Sequence, residues 1–191
     1  MLSIFGQVYW YYANMKKDVL THFTFAIALF TLITVFKGWL ELTYLAFWIG
    51  GIIGTLLPDV DYLIHVYVLN PTDSESQKTS SLVSQKQFGK TWDLLTRARY
   101  GNSELLFHSV LFQILFWLFT FLVITSSGSL LAKGIVLAFS LHLIIDQASD
   151  LIETGTLEIW FKKMPFNLDA KQKKLYLVGN ILLLIIFSSF L

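Results

Sequence analysis

The sequence predicts an all-α, polytopic membrane protein: a helical bundle of about five transmembrane helices with an N-terminal interfacial segment. Three observations lead there. Hydrophobic residues make up 55% of the 191-residue chain and charged residues only 14%, against about 25% charge in a soluble domain. The mean hydropathy is +0.62. Apolar runs of bilayer-crossing length recur along the chain, separated by shorter polar segments, with no internal repeat and no second domain. Residues 1–191 therefore read as one integral membrane domain.

The elements follow in chain order. "MLSIFGQVYWYYANMKKDVL" carries its positive charges, Lys16 and Lys17, after its apolar part, which is the wrong order for a signal peptide. Tyr9, Trp10, Tyr11 and Tyr12 have the amphipathic rings of a segment resting at headgroup level. A helix needs about 20 mostly apolar residues to cross a hydrocarbon core about 30 Å thick. Five stretches qualify as spans: Val19–Phe36, Trp39–Leu57, Leu105–Thr125, Leu130–Ile152 and the short Leu175–Leu191. Lys37–Gly38 and Ser126–Ser129 read as tight turns, and Asn70–Arg99 as a polar cytoplasmic loop rich in Ser, Gln and Lys. Glu153–Lys174 mixes charge with Trp160, Phe161 and Phe166 and reads as an interfacial segment.

Threading the chain through five spans puts twelve Lys and Arg on the side of the N-terminus and only Lys37 and Lys133 on the other. The positive-inside rule makes the twelve-residue side cytoplasmic. The expectation is a multi-pass protein of the cell inner membrane with its N-terminus in the cytoplasm. The net charge of +1 and the lack of a Lys/Arg-lined groove argue against a nucleic-acid partner. With no cysteine, disulfides, thiolate metal ligands and cysteine nucleophiles are excluded.

Ionisable residues within spans are costly and mark function. The same threading brings them to one face. His22 opens the first span, Asp59 and Asp61 end the second, Glu104 and His108 open the third, and His142, Asp146 and Asp150 close the fourth. Residues four apart share a helix face, so His142 projects with Asp146, Glu104 with His108, and Asp61 with His65. Pro58 favours a fresh helix start after Leu57, and Gly50, Gly51 and Gly54 before it allow close helix approach.

Histidine with carboxylate is a donor set for a divalent ion: Zn²⁺ first, with Mn²⁺, Fe or Mg²⁺ as alternatives. The number of donors allows one or two ions, and a two-metal arrangement would suit phosphoester hydrolysis. Metal candidates are His22, Asp59, Asp61, His65, His108, His142 and Asp146, with Glu104 and Asp150 as candidate catalytic proton carriers. Arg97 and Arg99 could hold a phosphate.

The motifs "THFTFAIAL", "LLPDVDYLIH", "ELLFHS" and "LHLIIDQASD", followed by "MPF", resemble the YdjM-type membrane-bound metal-dependent hydrolases (DUF457) over most of residues 21 to 166. By that resemblance His22, Asp59, Asp61, His108, His142 and Asp146 take metal-site roles. Tyr62 stands where the family has a histidine after the second aspartate, and His65 follows one helical turn after Asp61. The family's first histidine in the third element is replaced, with Ser103 at that spacing and Glu104 beside it.

The resemblance implies a metal-dependent hydrolase acting at the membrane lipid surface on a phospholipid or other phosphoester. A noncatalytic membrane scaffold or complex subunit stapled by a structural metal is the alternative. An ion or proton translocator fits less well, because the ionisable residues form a cap at one face and not a path across the bilayer.

Overall fold

The computed structural model describes residues 4–87, 91 and 105–191, with side chains from Lys17 onward. Every regular element among the described residues is helical. The aromatic rings of Tyr9 to Tyr12, together with Arg97, Arg99, Ser103 and Glu104, lie outside what is described.

Helix α1 (Ile4–Lys37) has no proline and no interior glycine after Gly6, and ends at Gly38. That glycine adopts φ +66°, the left-handed conformation that closes many helices. Then come α2 (Leu45–Leu56), α3 (Val60–Ile64), α4 (Ser74–Ser84), α5 (Val110–Ser126), α6 (Leu130–Thr154), the short α7 (Glu158–Phe161) and α8 (Ala170–Ser189). Ser109 and Ser129 cap α5 and α6 with their hydroxyls. Asp169 and Gln172 form a reciprocal capping box at the start of α8. Gly155, at φ +75°, ends α6.

Among the described residues, three helical stretches are long and apolar enough to cross a membrane: Lys17–Lys37, Leu42–Leu69 and Leu130–Thr154. The first and third correspond to expected spans. The second runs twelve residues past the expected end at Leu57, because Pro58 does not start a separate helix. Winding tightens to a 3-10 turn at Leu57–Asp59, returns to α through Ile64, and widens to a π turn at His65–Leu69. Proline removes one donor, and a local change of helical pitch absorbs the loss. The expected third span is shorter than anticipated, since α5 begins only at Val110 and is 17 residues long. The fifth coincides with α8, whose Lys-rich first turns leave it outside the three.

The chain divides into two compact units. In the unit formed by 1–21 and 59–106, α4 lies against the His65–Leu69 turn. Thus the described part of the expected polar loop is largely helical. Tyr62, Val66 and Leu105 pack together there, so Tyr62 serves as an apolar core residue.

The unit formed by 22–58 and 107–191 holds the main core. Its tightest contact is the crossing of α2 and α6. A Cβ added to Gly50, Gly54 or Gly134 would overlap the carbonyl oxygens of Leu131, Ile135 and Phe47 respectively. Only glycine permits backbones this close. Phe30 stacks on Phe47 at 4.3 Å between centroids, and Phe116 on Phe139 at 4.3 Å. Apolar residues on the opposite faces, including Val35, Leu115, Leu118 and Ile185, are exposed, as expected of helices solvated by lipid. The expected interfacial segment is split in role: Trp160 and Phe161 are buried in the core, whereas Phe166 is exposed.

Candidate metal centre

The α2–α6 crossing sets the geometry of a buried histidine–aspartate group. Asp146 sits on α6 with no solvent exposure. An isolated buried carboxylate is strongly disfavoured, so its surroundings must supply positive charge or donors. Three imidazoles converge on it. His22 Nε2 lies 3.1 Å from Oδ1, while His108 Nε2 and His142 Nε2 lie 3.0 and 3.1 Å from Oδ2. The three histidines come from α1, from the segment just before α5, and from α6 one turn before Asp146. His22 and His142 also stack, with centroids 4.0 Å apart.

His142 Nδ1 is 2.7 Å from the carbonyl oxygen of Thr55 on α2. A carbonyl only accepts, so the ring proton is on Nδ1. In the neutral ring Nε2 is then a lone pair aimed at a carboxylate oxygen 3.1 Å away. Two acceptors facing each other repel. Either a second proton or a metal ion between them removes the conflict.

A backbone carbonyl that fixes the imidazole tautomer is the usual second-sphere support of a metal-bound histidine. The donor spacing fits as well. A tetrahedral ion with bonds of about 2.0–2.1 Å separates its ligand atoms by about 3.3 Å. His22, His142 and Asp146 each offer one ligand atom, all within 4.8 Å of one another. This buried trio could hold a metal ion, and His108 adjoins it through the second carboxylate oxygen.

Asp59, Asp61 and His65 lie in the other unit. Asp61 is fully buried and its Oδ1 accepts the backbone N–H of Leu106 at 2.9 Å. His65 Nδ1 lies 3.4 Å from the Asn70 amide nitrogen. Glu104 is outside the described residues. Asp150 Oδ2 accepts the indole N–H of Trp160 at 2.7 Å, and Trp160 lies beside His108 with ring centroids 5.5 Å apart. The donors gathered around Asp146 suffice for one ion.

A second polar cluster was not anticipated from the sequence. Gln113 on α5, Gln147 on α6 and Asn180 on α8 are almost entirely buried. Gln113 Oε1 accepts from Gln147 Nε2 at 2.6 Å, from the Tyr176 hydroxyl at 2.7 Å and from Asn180 Nδ2 at 3.1 Å. Asn180 Nδ2 also donates to Gln147 Oε1, and Asn180 Oδ1 accepts from Trp117 Nε1. Uncharged amides inside apolar runs carried a signal that could have been read, because each needs a partner in a lipid-solvated helix.

Fold and site together define an all-helical chain with helices suited to a membrane and a buried His/Asp group suited to a metal. A scan against protein-family models returns no match, and no curated protein or solved structure matches the chain significantly.

Proposed function

We propose that the protein is an integral membrane metalloprotein of the inner membrane, N-terminus in the cytoplasm, that hydrolyses a phosphoester or lipid-type substrate. The carrying observation is His142, held by the Thr55 carbonyl so that its Nε2 faces Asp146 Oδ2 at 3.1 Å. A cation held between these two atoms would turn their mutual repulsion into shared ligation. Zn²⁺ suits the two imidazoles and the carboxylate of His22, His142 and Asp146 better than Mg²⁺ does, since Mg²⁺ prefers oxygen ligands. When bound, such an ion would supply a Lewis acid that makes hydroxide available from water near neutral pH. The chain's own part is to hold His142 and Asp146 against α2 through the glycine crossing, to bring His22 to them from α1, and to shield all three from bulk water. The resemblance of the His and Asp motifs to membrane-bound metal-dependent hydrolases supports the reaction class.

The test is turnover of a phospholipid and phosphoester panel by protein reconstituted with Zn²⁺. Activity that is lost in His142→Ala and Asp146→Ala supports the proposal. Full activity in both variants, or none in wild type carrying stoichiometric metal, rejects it.

The burial of His22, His108, His142 and Asp146 favours a second reading, in which the ion staples helices and no reaction follows. A site closed to solvent, with no position open to substrate, is typically structural. Under this reading metal removal lowers the unfolding temperature of a protein with no turnover.

A further inference from the structure

We infer that Gln113 is a positioning residue for the metal centre: it sets the register of α5 against α6 and so holds His108 on Asp146. The inference rests on the metal reading above. His108 is the one imidazole of the group that no regular helix carries, since it precedes the Ser109 cap of α5. Something else must fix its height relative to α6. Gln113, five residues later, bonds through Oε1 to Gln147, the residue next to Asp146. The same oxygen accepts from Tyr176 and Asn180 on α8, so α5, α6 and α8 are all referenced to one atom. An axial slip of a single residue is about 1.5 Å, enough to break the 3.0 Å His108–Asp146 contact.

The chemistry explains why an amide serves here. In apolar surroundings the Gln147 amide and the Tyr176 hydroxyl converge on this oxygen beside Asn180, which also reaches Gln147 Oε1, and a slip would break contacts that no water replaces. Leucine at 113 would fill the space without preferring any register. The Nε2 of Gln113 is itself buried with no partner among the described residues. Residue 113 is therefore used for its oxygen, and glutamate would keep that oxygen without the unpartnered donor.

The test is Co²⁺ affinity and the Co²⁺ visible spectrum of the full chain in nanodiscs. Wild type, Gln113→Leu, Gln113→Glu, His108→Ala, His22→Ala and the two doubles combining Gln113→Leu with each histidine variant are compared. Second-sphere losses typically weaken metal affinity ~10–100-fold. Gln113→Leu is expected to lose that much and to take on the spectrum of His108→Ala, with Gln113→Glu recovering most of the loss. The Gln113→Leu/His108→Ala double should bind no worse than His108→Ala alone, whereas the effects with His22→Ala should add.

Additive losses with both histidines, or a lower unfolding temperature with unchanged Co²⁺ affinity and spectrum, would overturn the inference and leave the metal reading intact. Wild type that binds no Co²⁺ would instead remove the metal reading, and the inference with it.

Discussion

Trp160 donates its indole N–H to Asp150 Oδ2 at 2.7 Å, and both residues are buried. Asp150 lies one turn beyond Asp146 on α6, and Trp160 belongs to α7 and lies against His108. The carboxylate read from the sequence as a proton carrier thus anchors the ring that lies against His108. Lys173 reinforces the same segment, pairing with Glu158 at the start of α7 and lying 5.7 Å above the Phe161 ring.

Replacing Trp160 by Phe keeps most of the apolar bulk and removes the donor to a buried carboxylate oxygen. Losing one partner of a buried hydrogen bond costs about 1–3 kcal/mol. Thermal unfolding in nanodiscs should show that loss. Asp150→Asn, which retains an acceptor oxygen for the indole, should cost less. Equal stability of Trp160→Phe and wild type would show that the contact contributes nothing.

The glycine crossing yields a larger effect. Leucine at Gly54 or Gly134 would drive its Cβ into the Ile135 or Phe47 carbonyl oxygen, which is backbone and cannot rotate away. Overpacking typically costs about 1–3 kcal/mol, and more where backbone must move. Both variants should accumulate poorly and lose metal together with stability, because the crossing also brings the Thr55 carbonyl to His142. Gly128→Leu, at a position with open space around it, is the control and should be neutral. Normal accumulation and metal content in Gly54→Leu would contradict the crossing.

Metal retention should depend on pH with a definite sign. A histidine binds a metal only as neutral imidazole, so protons and metal compete. Apparent Zn²⁺ affinity should fall on acidification, as protons compete with the ion for the imidazoles. Competition titration with a zinc-sensitive dye between pH 5.5 and 8 would measure it. Affinity that is flat or rises on acidification would argue that carboxylates alone bind the ion.

Much of this centre was legible in the sequence, for a physical reason. In apolar helices a histidine or aspartate stands out, and the i, i+4 spacing of His142 and Asp146 already puts them on one face. Helix termini carried the same information: threading spans back and forth brought His22, His108 and His142 to a common level.

What did not emerge was the tertiary chemistry. Nothing in the sequence ties the Thr55 carbonyl to His142, since a backbone group has no residue signature. Pro58 looked like a helix start, yet a change in helical pitch carries the chain through to Leu69. Gln113, Gln147 and Asn180 carry no sign of a shared site in the sequence, because each alone is an ordinary amide. Their meaning lies in three helices sharing one oxygen.

The most direct measurement is zinc K-edge X-ray absorption on purified protein, with metal content determined on the same sample. The expected result is about one zinc per chain, a first shell of N and O ligands at about 2.0–2.1 Å, and outer-shell scattering from two imidazoles that falls by one imidazole in His142→Ala. Protein without bound metal, or a spectrum with no imidazole scattering, would contradict it.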